Sequence, residues 1–182
     1  MDLKFFPSFF DKPQKIQFIE QEKDEVVELF LREHGIVNLP WILASLAAFT
    51  LPVITIRLEE IFNLNIISAI PIQVFVGGLV IWYMLVVAYT IEKFLFWYFN
   101  IYIVTNLHVI DVNFYNLTSR DILTIDLKNI ETISSSVKGV FGSLFYFGDI
   151  IIQTAAETHN IGFLNVPKPD LVADRIEDLK RV

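Results

Sequence analysis

Few side chains in this sequence have the types and spacing that catalytic or metal sites require. Ser135 and Lys138 fit the S-x-x-K pattern, in which a lysine activates a serine nucleophile in penicillin-recognising enzymes. Neither S-D-N nor K-T-G follows, so the end of a polar strand explains this pair better. The histidines share no metal-ligand spacing, and the chain contains no cysteine. We therefore predict no enzyme activity, no metal and no cofactor.

Three other motifs have ordinary structural explanations. Gly139 and Gly142 form a GxxG pattern, but they lie between predicted strands, where glycines supply turns. Glu59 and Glu60 are adjacent carboxylates, yet consecutive helical residues point about 100° apart, which favours solvated charges over a joint site. Asn116 begins a glycosylation sequon that matters only in a secreted setting. The informative feature of this chain is therefore its architecture.

The composition indicates a chain with both membrane and extramembrane parts. Of the 182 residues, 54% are hydrophobic and 19% are charged, and the mean hydropathy is +0.52. The absence of cysteine excludes a disulfide scaffold. The net charge is −7 and no region is strongly basic, so we predict no nucleic-acid partner.

Two apolar runs, at residues 37–56 and 72–91, are each long enough to cross a bilayer. Twenty helical residues at about 1.5 Å each cover roughly the 30 Å hydrocarbon thickness. Neither run contains Asp, Glu, Lys, Arg or His, the residues from which intramembrane pathways are usually built. We predict an N-terminal segment at 1–36, a transmembrane hairpin at 37–91 and a domain at 92–182.

The distribution of basic residues predicts the orientation of the hairpin. Lys23, Arg32 and Lys93 flank its outer ends, whereas the connecting loop has Arg57 alone. Because Lys and Arg accumulate in cytoplasmic segments, both termini are predicted to be cytoplasmic. The first 36 residues lack the apolar region of a signal peptide, so we expect the first span to direct insertion.

The interiors of the spans predict close packing of the two helices. With Ile56 level with Ile72, small residues of the two helices meet, and Tyr83 comes close enough to Ser45 for a hydrogen bond. A hinge at the glycine pair is the alternative, and Pro52 is expected to kink the first helix. The candidate packing residues are Ala44, Ser45, Ala48, Gly77, Gly78 and Tyr83. Aromatic residues near the span ends are candidates for the membrane interface: Trp41, Phe94, Trp97 and Tyr98.

The N-terminal segment is harder to assign. Residues 1–13 contain Phe5, Phe6, Phe9 and Phe10, a pattern too short and too broken by proline for a core element. It fits equally well an interfacial contact or a mobile tail. Within residues 14–34 the periodicity favours a strand at 26–32 and leaves a short amphipathic helix open.

After the second span, apolar residues alternate, which predicts an antiparallel β domain with short strands. Residues 170–181 place Val172, Ile176 and Leu179 at helical spacing, with acids first and bases last. The fold class is thus an α+β membrane protein whose terminal helix plugs a curved sheet. The seven predicted strands are 101–103, 109–114, 123–127, 130–133, 141–147, 149–155 and 161–164.

Several motifs of this region resemble those of a known family. They are Asn100-Ile-Tyr-Ile-Val-Thr-Asn-Leu-His-Val-Ile-Asp111, Leu117-Thr-Ser-Arg-Asp-Ile122, Ile130-Glu131, the Gly139 and Gly142 turn, and Phe147-Gly-Asp-Ile-Ile-Ile152. In this order, after two spans, they resemble the bacterial pleckstrin-homology-like family of YdbS-like, membrane-flanked domains. The resemblance implies a partly open barrel closed by the C-terminal helix, no enzyme activity, and the bacterial inner (plasma) membrane. His108 departs from the Arg found in many members, which puts any anion contact there in doubt.

These features favour a non-enzymatic protein that holds an interaction domain at the membrane. The predicted partner, besides the lipid bilayer, is a protein or a second copy of the chain, bound through a sheet edge or an apolar surface. A small subunit of a transport or export system is the alternative. A phosphoinositide-like lipid is a less favoured ligand, because such sites need converging cations and the candidate contacts Arg120, Lys128 and Lys138 are isolated.

Overall fold

The chain folds into two units. The structure, a computed structural model, describes residues 8–11, 13, 25–63, 69–116, 119–154 and 161–181. One unit combines Met1–Val37 with Phe96–Val182, and the other is Asn38–Leu95. We call them the β unit and the helical unit. The N-terminal segment, predicted as a separate region, is therefore grouped with the β unit.

The helical unit is built from two long helices. After a 3-10 turn at Gly35–Asn38, α1 spans Leu39–Phe62 and continues through Pro52. It ends at Asn63, which adopts a left-handed conformation (φ 51°) and donates its backbone N–H to the carbonyl of Glu59. The second helix, α2, spans Ile72–Phe99. Both helices are longer than the predicted spans because charged residues near their ends are compatible with helix.

The β unit contains two antiparallel sheets. The first has five strands in chain order: β1 Phe9–Asp11, β2 Val27–Arg32, β3 Ile101–Thr105, β4 His108–Asn116 and β5 Ser119–Asp126. The second has three: β6 Ile130–Ser136, β7 Phe147–Thr154 and β8 Ile161–Pro167. A short helix, α3 (Gly139–Phe145), connects β6 to β7, and α4 (Pro169–Lys180) ends the fold.

The described residues contain eight strands, and two differences from the sequence prediction account for the change from seven. Residues 141–147 were predicted as a strand, but most of them belong to α3, since a short apolar run has no periodicity that separates strand from helix. The N-terminal segment supplies the additional strands. Phe9 of β1 pairs with Leu31 and packs against the core, so the view that this segment was too short for a core element was wrong. The strand favoured at 26–32 is confirmed as β2.

The larger apolar core contains residues of both sheets and of α4, and a smaller cluster comprises Val27, Phe30, Ile103 and Ile110. Val104, Ile150 and Phe163 are fully buried, and the Phe163 ring stacks on Tyr102 with a centroid distance of 4.5 Å. Val172 and Ile176 of α4 are also fully buried. Each such side chain contributes about 1.5–3 kcal/mol by leaving water, so the terminal helix is part of the core as predicted.

Candidate membrane and interaction surfaces

The helical unit exposes large apolar side chains along its length. Leu46 is 59% exposed in α1, and Ile81, Met84 and Leu85 are 61%, 68% and 63% exposed in α2. A helix that is apolar on all sides belongs in a protein core or in a membrane, and these side chains are not in the core of this chain. Both helices are long and apolar enough to cross a membrane, with mean hydropathies of 1.9 and 2.2.

Charged side chains occur only near one end of each helix. In α1 they begin at Arg57, whose guanidinium lies 2.9 Å from the carboxylate of Glu60 in an exposed ion pair. In α2 they begin at Glu92. The charge-free part of α2 therefore contains 20 residues, 72–91, about 30 Å of helix and thus roughly one hydrocarbon thickness.

The contacts between α1 and α2 involve hydroxyl and aromatic groups. The Thr90 hydroxyl lies 3.1 Å from Ser45 Oγ, and the Trp82 indole N–H donates to the carbonyl of Ala48 at 3.0 Å. The structure thus pairs Ser45 with Thr90 rather than with Tyr83, whose ring packs on Phe49 at 5.0 Å. The register differs from the predicted one because α1 continues to Phe62 instead of ending at residue 56.

Of the other small residues predicted to pack, Ala48 takes part in this contact through its carbonyl. Ala44 is exposed, and no described atom of another element lies within 4 Å of the Cβ position that a side chain would occupy at Gly77 or Gly78. Close approach of backbones at the glycine pair is therefore not what holds the two helices together here.

The four aromatic residues predicted at the interface have different surroundings. In the helical unit, the Trp41 indole N–H donates to the Asn38 side chain at 2.9 Å, and Phe94 is 36% exposed. In the β unit, Trp97 is buried and its N–H donates to the carbonyl of Glu33 at 3.0 Å. The Tyr98 ring lies 4.3 Å from the Arg32 guanidinium, a cation–π distance. The last turn of α2 is thus a structural part of the β unit.

An exposed apolar surface lies on α3. Val140, Phe141 and Leu144 are 80%, 64% and 70% exposed, and Tyr146 directly after the helix is also exposed. We call these four residues the α3 surface. A run of adjacent exposed apolar side chains is typical of a contact surface rather than of an ordinary protein exterior.

Polar contacts involve residues on both sides of α3. The Tyr146 hydroxyl lies 3.0 Å from one Asp170 oxygen, and the Ser135 hydroxyl lies 2.6 Å from the other. These two hydrogen bonds lower the pKa of Asp170. Lys138 lies 3.4 Å from Asp149. Ser135 and Lys138 are thus directed at different carboxylates, which agrees with rejecting S-x-x-K as a catalytic pair.

The three predicted cationic contacts do not converge. Arg120 lies near the start of β5, and Lys128 lies beyond its end, in the 3-10 turn Leu127–Asn129; the strand between them is about 20 Å long at roughly 3.3 Å per residue. Lys138 lies between β6 and α3. Several cations must surround one phosphate to hold it, so these three do not form a phosphate site.

The comparison with known families assigns this architecture. A family model described as Bacterial PH domain matches residues 36–180 of the chain. The chain belongs to the bacterial PH domain family. Proteins of this kind are generally non-catalytic interaction modules. No curated protein matches the sequence significantly.

In this bacterial PH domain, His108 belongs to a polar cluster that sequence analysis missed. Its Nδ1 lies 2.8 Å from Glu25 Oε1 and its Nε2 lies 3.2 Å from Asp126 Oδ1. The Thr105 hydroxyl lies 2.5 Å from the same Glu25 oxygen and accepts the backbone N–H groups of Leu107 and His108. Thr105 is fully buried, so its hydroxyl group is not accessible to a ligand from solvent. The cluster joins the residues before β2 to the β3–β4 turn.

Two carboxyl groups of the β unit are removed from water to different degrees: Asp111 is buried and Glu33 is half-buried. Burial raises the pKa of Asp111 to about 6, although a 2.8 Å hydrogen bond from Asn113 acts in the opposite direction. Burial also raises the pKa of Glu33, and the nearby charge of Asp149 adds to this. Within the described part of the chain, no group of three or more His, Asp or Glu side chains could hold a metal ion.

Proposed function

We propose that this protein is a non-enzymatic, membrane-anchored bacterial PH protein that holds an interaction domain at the cytoplasmic face of the inner membrane. The observation that carries this proposal is the exposed apolar surface of α1 and α2, which none of the described residues covers. Complete transfer of a Leu or Ile side chain out of water is worth about 1.5–3 kcal/mol, so each partly exposed Leu or Ile would gain a share of this in hydrocarbon. A bilayer is the environment that suits both helices.

The construction of the β unit supports a hairpin that returns to the side from which it entered. Strand β2 comes before α1 and β3 comes after α2, yet they are neighbours in one sheet, with Leu31 opposite Tyr102. Because the residues before α1 and those after α2 form one sheet, both must lie on the same side of the membrane. The basic residues Lys23, Arg32 and Lys93 favour the cytoplasm as that side.

The β5 edge of the five-stranded sheet is the interaction surface that we propose for a protein partner. Among the described residues β1 and β5 form the two edges of this sheet, and most side chains of β5 are exposed, including Ile122 and Thr124. An edge strand offers unpaired backbone N–H and C=O groups, to which a partner strand can add. The charges of Arg120, Asp121 and Asp126 would select partners and limit nonspecific strand pairing.

The competing functions have less support. A transport path through the membrane normally uses intramembrane ionisable groups, which the stretch 72–91 of α2 lacks. A headgroup-specific lipid site would need converging cations, and Arg120, Lys128 and Lys138 are separated.

Site-specific photocrosslinking in the full-length protein tests this proposal in its native membrane. A photoreactive residue replaces Thr124 on β5 in one variant and Leu171, an exposed residue of α4, in the matched control. We expect the protein to remain in the membrane after alkaline extraction and to form a discrete crosslinked product from position 124 but not from 171. Release by alkaline extraction would contradict the anchor. Equal crosslinking from both positions would contradict the β5 edge as the interaction surface.

A further inference from the structure

The α3 surface has no function in the proposal so far. Its side chains, Val140, Phe141, Leu144 and Tyr146, protrude from the β unit, although the other apolar residues on β6, β7 and β8 are mainly directed into the core. Leaving a phenylalanine and two aliphatic side chains in water is unfavourable, which indicates that something covers them.

This surface lies beside the residues through which the β unit connects to the helical unit. The His34 ring stacks on Phe147 at 5.3 Å and contacts Phe145, the last residue of α3, at 6.5 Å. The His34 Nδ1 accepts the backbone N–H of Ile36, and the β unit ends at Val37. The neighbouring residue, Glu33, accepts the indole N–H of Trp97 near the return connection. The first connection is thus in contact with the end of α3 through His34, and the return connection is hydrogen-bonded to the residue that precedes His34.

The backbone holds α3 in a fixed position. A Cβ at Gly142 would lie 3.1 Å from the carbonyl oxygen of Phe147, and one at Gly148 would clash with the carbonyl oxygen of Ser136. Tyr146 has φ 54°, a left-handed conformation uncommon for a residue with a side chain, and its carbonyl accepts the N–H of Lys168 at 3.0 Å. The apolar side chains are therefore presented in a preorganised way.

The charge of this segment differs from that of the rest of the chain. Residues 137–148 contain one charged residue, Lys138, and no acid, whereas the whole chain has a net charge of −7. The Lys138 side chain is 70% exposed, and its ammonium lies 3.4 Å from the carboxylate of Asp149, so the two charges offset each other. An anionic bilayer surface would repel most of this acidic domain, but it would not repel an apolar segment with little net charge.

We propose that Val140, Phe141 and Leu144 insert into the interfacial region of the bilayer and give the domain its own contact with lipid beside the anchor. This inference rests on the proposed membrane anchor. The anchor keeps lipid at a high effective concentration near residues 37 and 96, where the β unit connects to it, so even a small apolar surface suffices. The contact would restrict the orientation of the domain and leave the β5 edge for a protein partner.

Fluorescence quenching in vesicles tests the contact. The chain has no cysteine, so single cysteines carrying an environment-sensitive fluorophore report on one position each. The test positions are Leu144 and Val140, the lipid control is Ile81 of α2, and the aqueous control is Ile122 of β5, which is 50% exposed. The full-length protein is reconstituted in phosphatidylcholine and phosphatidylglycerol vesicles, with or without brominated acyl chains.

We expect brominated lipid to quench the probe at Leu144 as it does at Ile81, with a blue-shifted emission, and to leave Ile122 unchanged. Quenching of Leu144 and Val140 by aqueous iodide, as at Ile122, would overturn the lipid contact while Ile81 still supported the anchor. Protection of both α3 positions from both quenchers would also overturn it and would indicate a protein contact. Loss of lipid quenching at Ile81 would overturn the anchor, and the inference with it.

Discussion

The helical unit and the β unit use the same types of residue in opposite ways. Val104, Ile150 and Ile152 are fully buried in the β unit, whereas Ile81 and Leu85 are 61% and 63% exposed on α2. The β unit supplies its own apolar environment between two sheets and a helix. The helical unit has to obtain it from outside. A large exposed apolar surface, such as that of the helical unit, therefore indicates a region that needs an environment other than water.

Several polar side chains of the helical unit donate hydrogen bonds to backbone carbonyls of the same unit. The hydroxyls of Thr50, Thr55 and Thr90 each hydrogen-bond a backbone carbonyl three or four residues earlier, at 2.7 to 3.1 Å. The Trp82 indole likewise bonds a carbonyl of α1. Each donor is thus satisfied within the protein, which is what hydrocarbon requires and water does not.

The largest expected effect is the loss of a core side chain from the β unit. Phe163→Ala removes a fully buried ring that stacks on Tyr102, so the free energy of unfolding of the β unit should fall by about 3–5 kcal/mol. Leu46→Ala in α1, where the side chain is 59% exposed, should change this free energy of unfolding by less than about 1 kcal/mol. Hydrogen exchange of the detergent-solubilised protein in a denaturant series measures both. Equal losses of stability in the two variants would contradict the difference between the two units.

A charge in the middle of α2 should act mainly on membrane insertion. Ile81→Asp places a carboxylate near the centre of the charge-free stretch, which disfavours insertion by about 2.5–3.5 kcal/mol. The fraction of protein that resists alkaline extraction should therefore fall. Ile122→Asp on the exposed β5 strand is the matched control and should leave this fraction unchanged. Equal retention of both variants would show that α2 is not in hydrocarbon.

Local patterns in the sequence predicted the main elements of both units. The helices followed directly from apolar runs of about 20 residues, which have few structural solutions in a chain of this length. The alternation of apolar residues predicted β3, β4 and β7, and the 3.6-residue spacing of Val172 and Ile176 predicted α4. These are local patterns, and local patterns are what a sequence displays.

The errors arose where distant contacts decide the structure. The cluster of Glu25 with His108 joins residues 83 positions apart, and no local sequence pattern predicts it. The bond from the Trp97 indole N–H to the carbonyl of Glu33 joins residues 64 positions apart and was likewise not predicted. The α3 surface was missed because residues 141–147 are compatible with strand and helix alike, and the helix depends on the glycines at 142 and 148 fitting against backbone carbonyls.

A pH-dependent effect of intermediate size is expected at Asp111 in the β unit. Burial raises its pKa from 3.8 to about 6, so between these values the folded protein binds more protons than the unfolded one. The free energy of unfolding therefore falls as the pH rises through this window. Asp111→Asn removes the buried charge and should stabilise the β unit by about 1–2 kcal/mol at pH 7.

The advantage of the Asp111→Asn variant should disappear near pH 4, where the native Asp111 carboxyl is protonated in the folded protein and is therefore uncharged, like the amide that replaces it. Thermal unfolding monitored by circular dichroism across this pH range measures it. Asp121→Asn, at an exposed position of β5, serves as the control for charge removal alone. A stability gain from Asp111→Asn that is constant with pH would contradict the role of burial.

The smallest effect is expected between the two helices. Trp82→Phe removes the hydrogen bond to the carbonyl of Ala48 and should weaken the α1–α2 contact by about 0.5–1.5 kcal/mol. Met84→Leu, at a 68% exposed position of α2, should have no measurable effect. Steric trapping or the rate of detergent-induced helix separation measures the difference. Identical behaviour of the two variants would show that this hydrogen bond does not stabilise the contact between α1 and α2.

Cysteine accessibility in intact cells tests the central claim most directly, which is that α1 and α2 cross the membrane and return the chain to the cytoplasm. Single cysteines replace Ile61, near the far end of α1, and Thr124 on β5, in a chain that has none of its own. A membrane-impermeant maleimide should label position 61 in intact spheroplasts and position 124 only after permeabilisation. Labelling of position 124 from outside in intact spheroplasts would contradict the account.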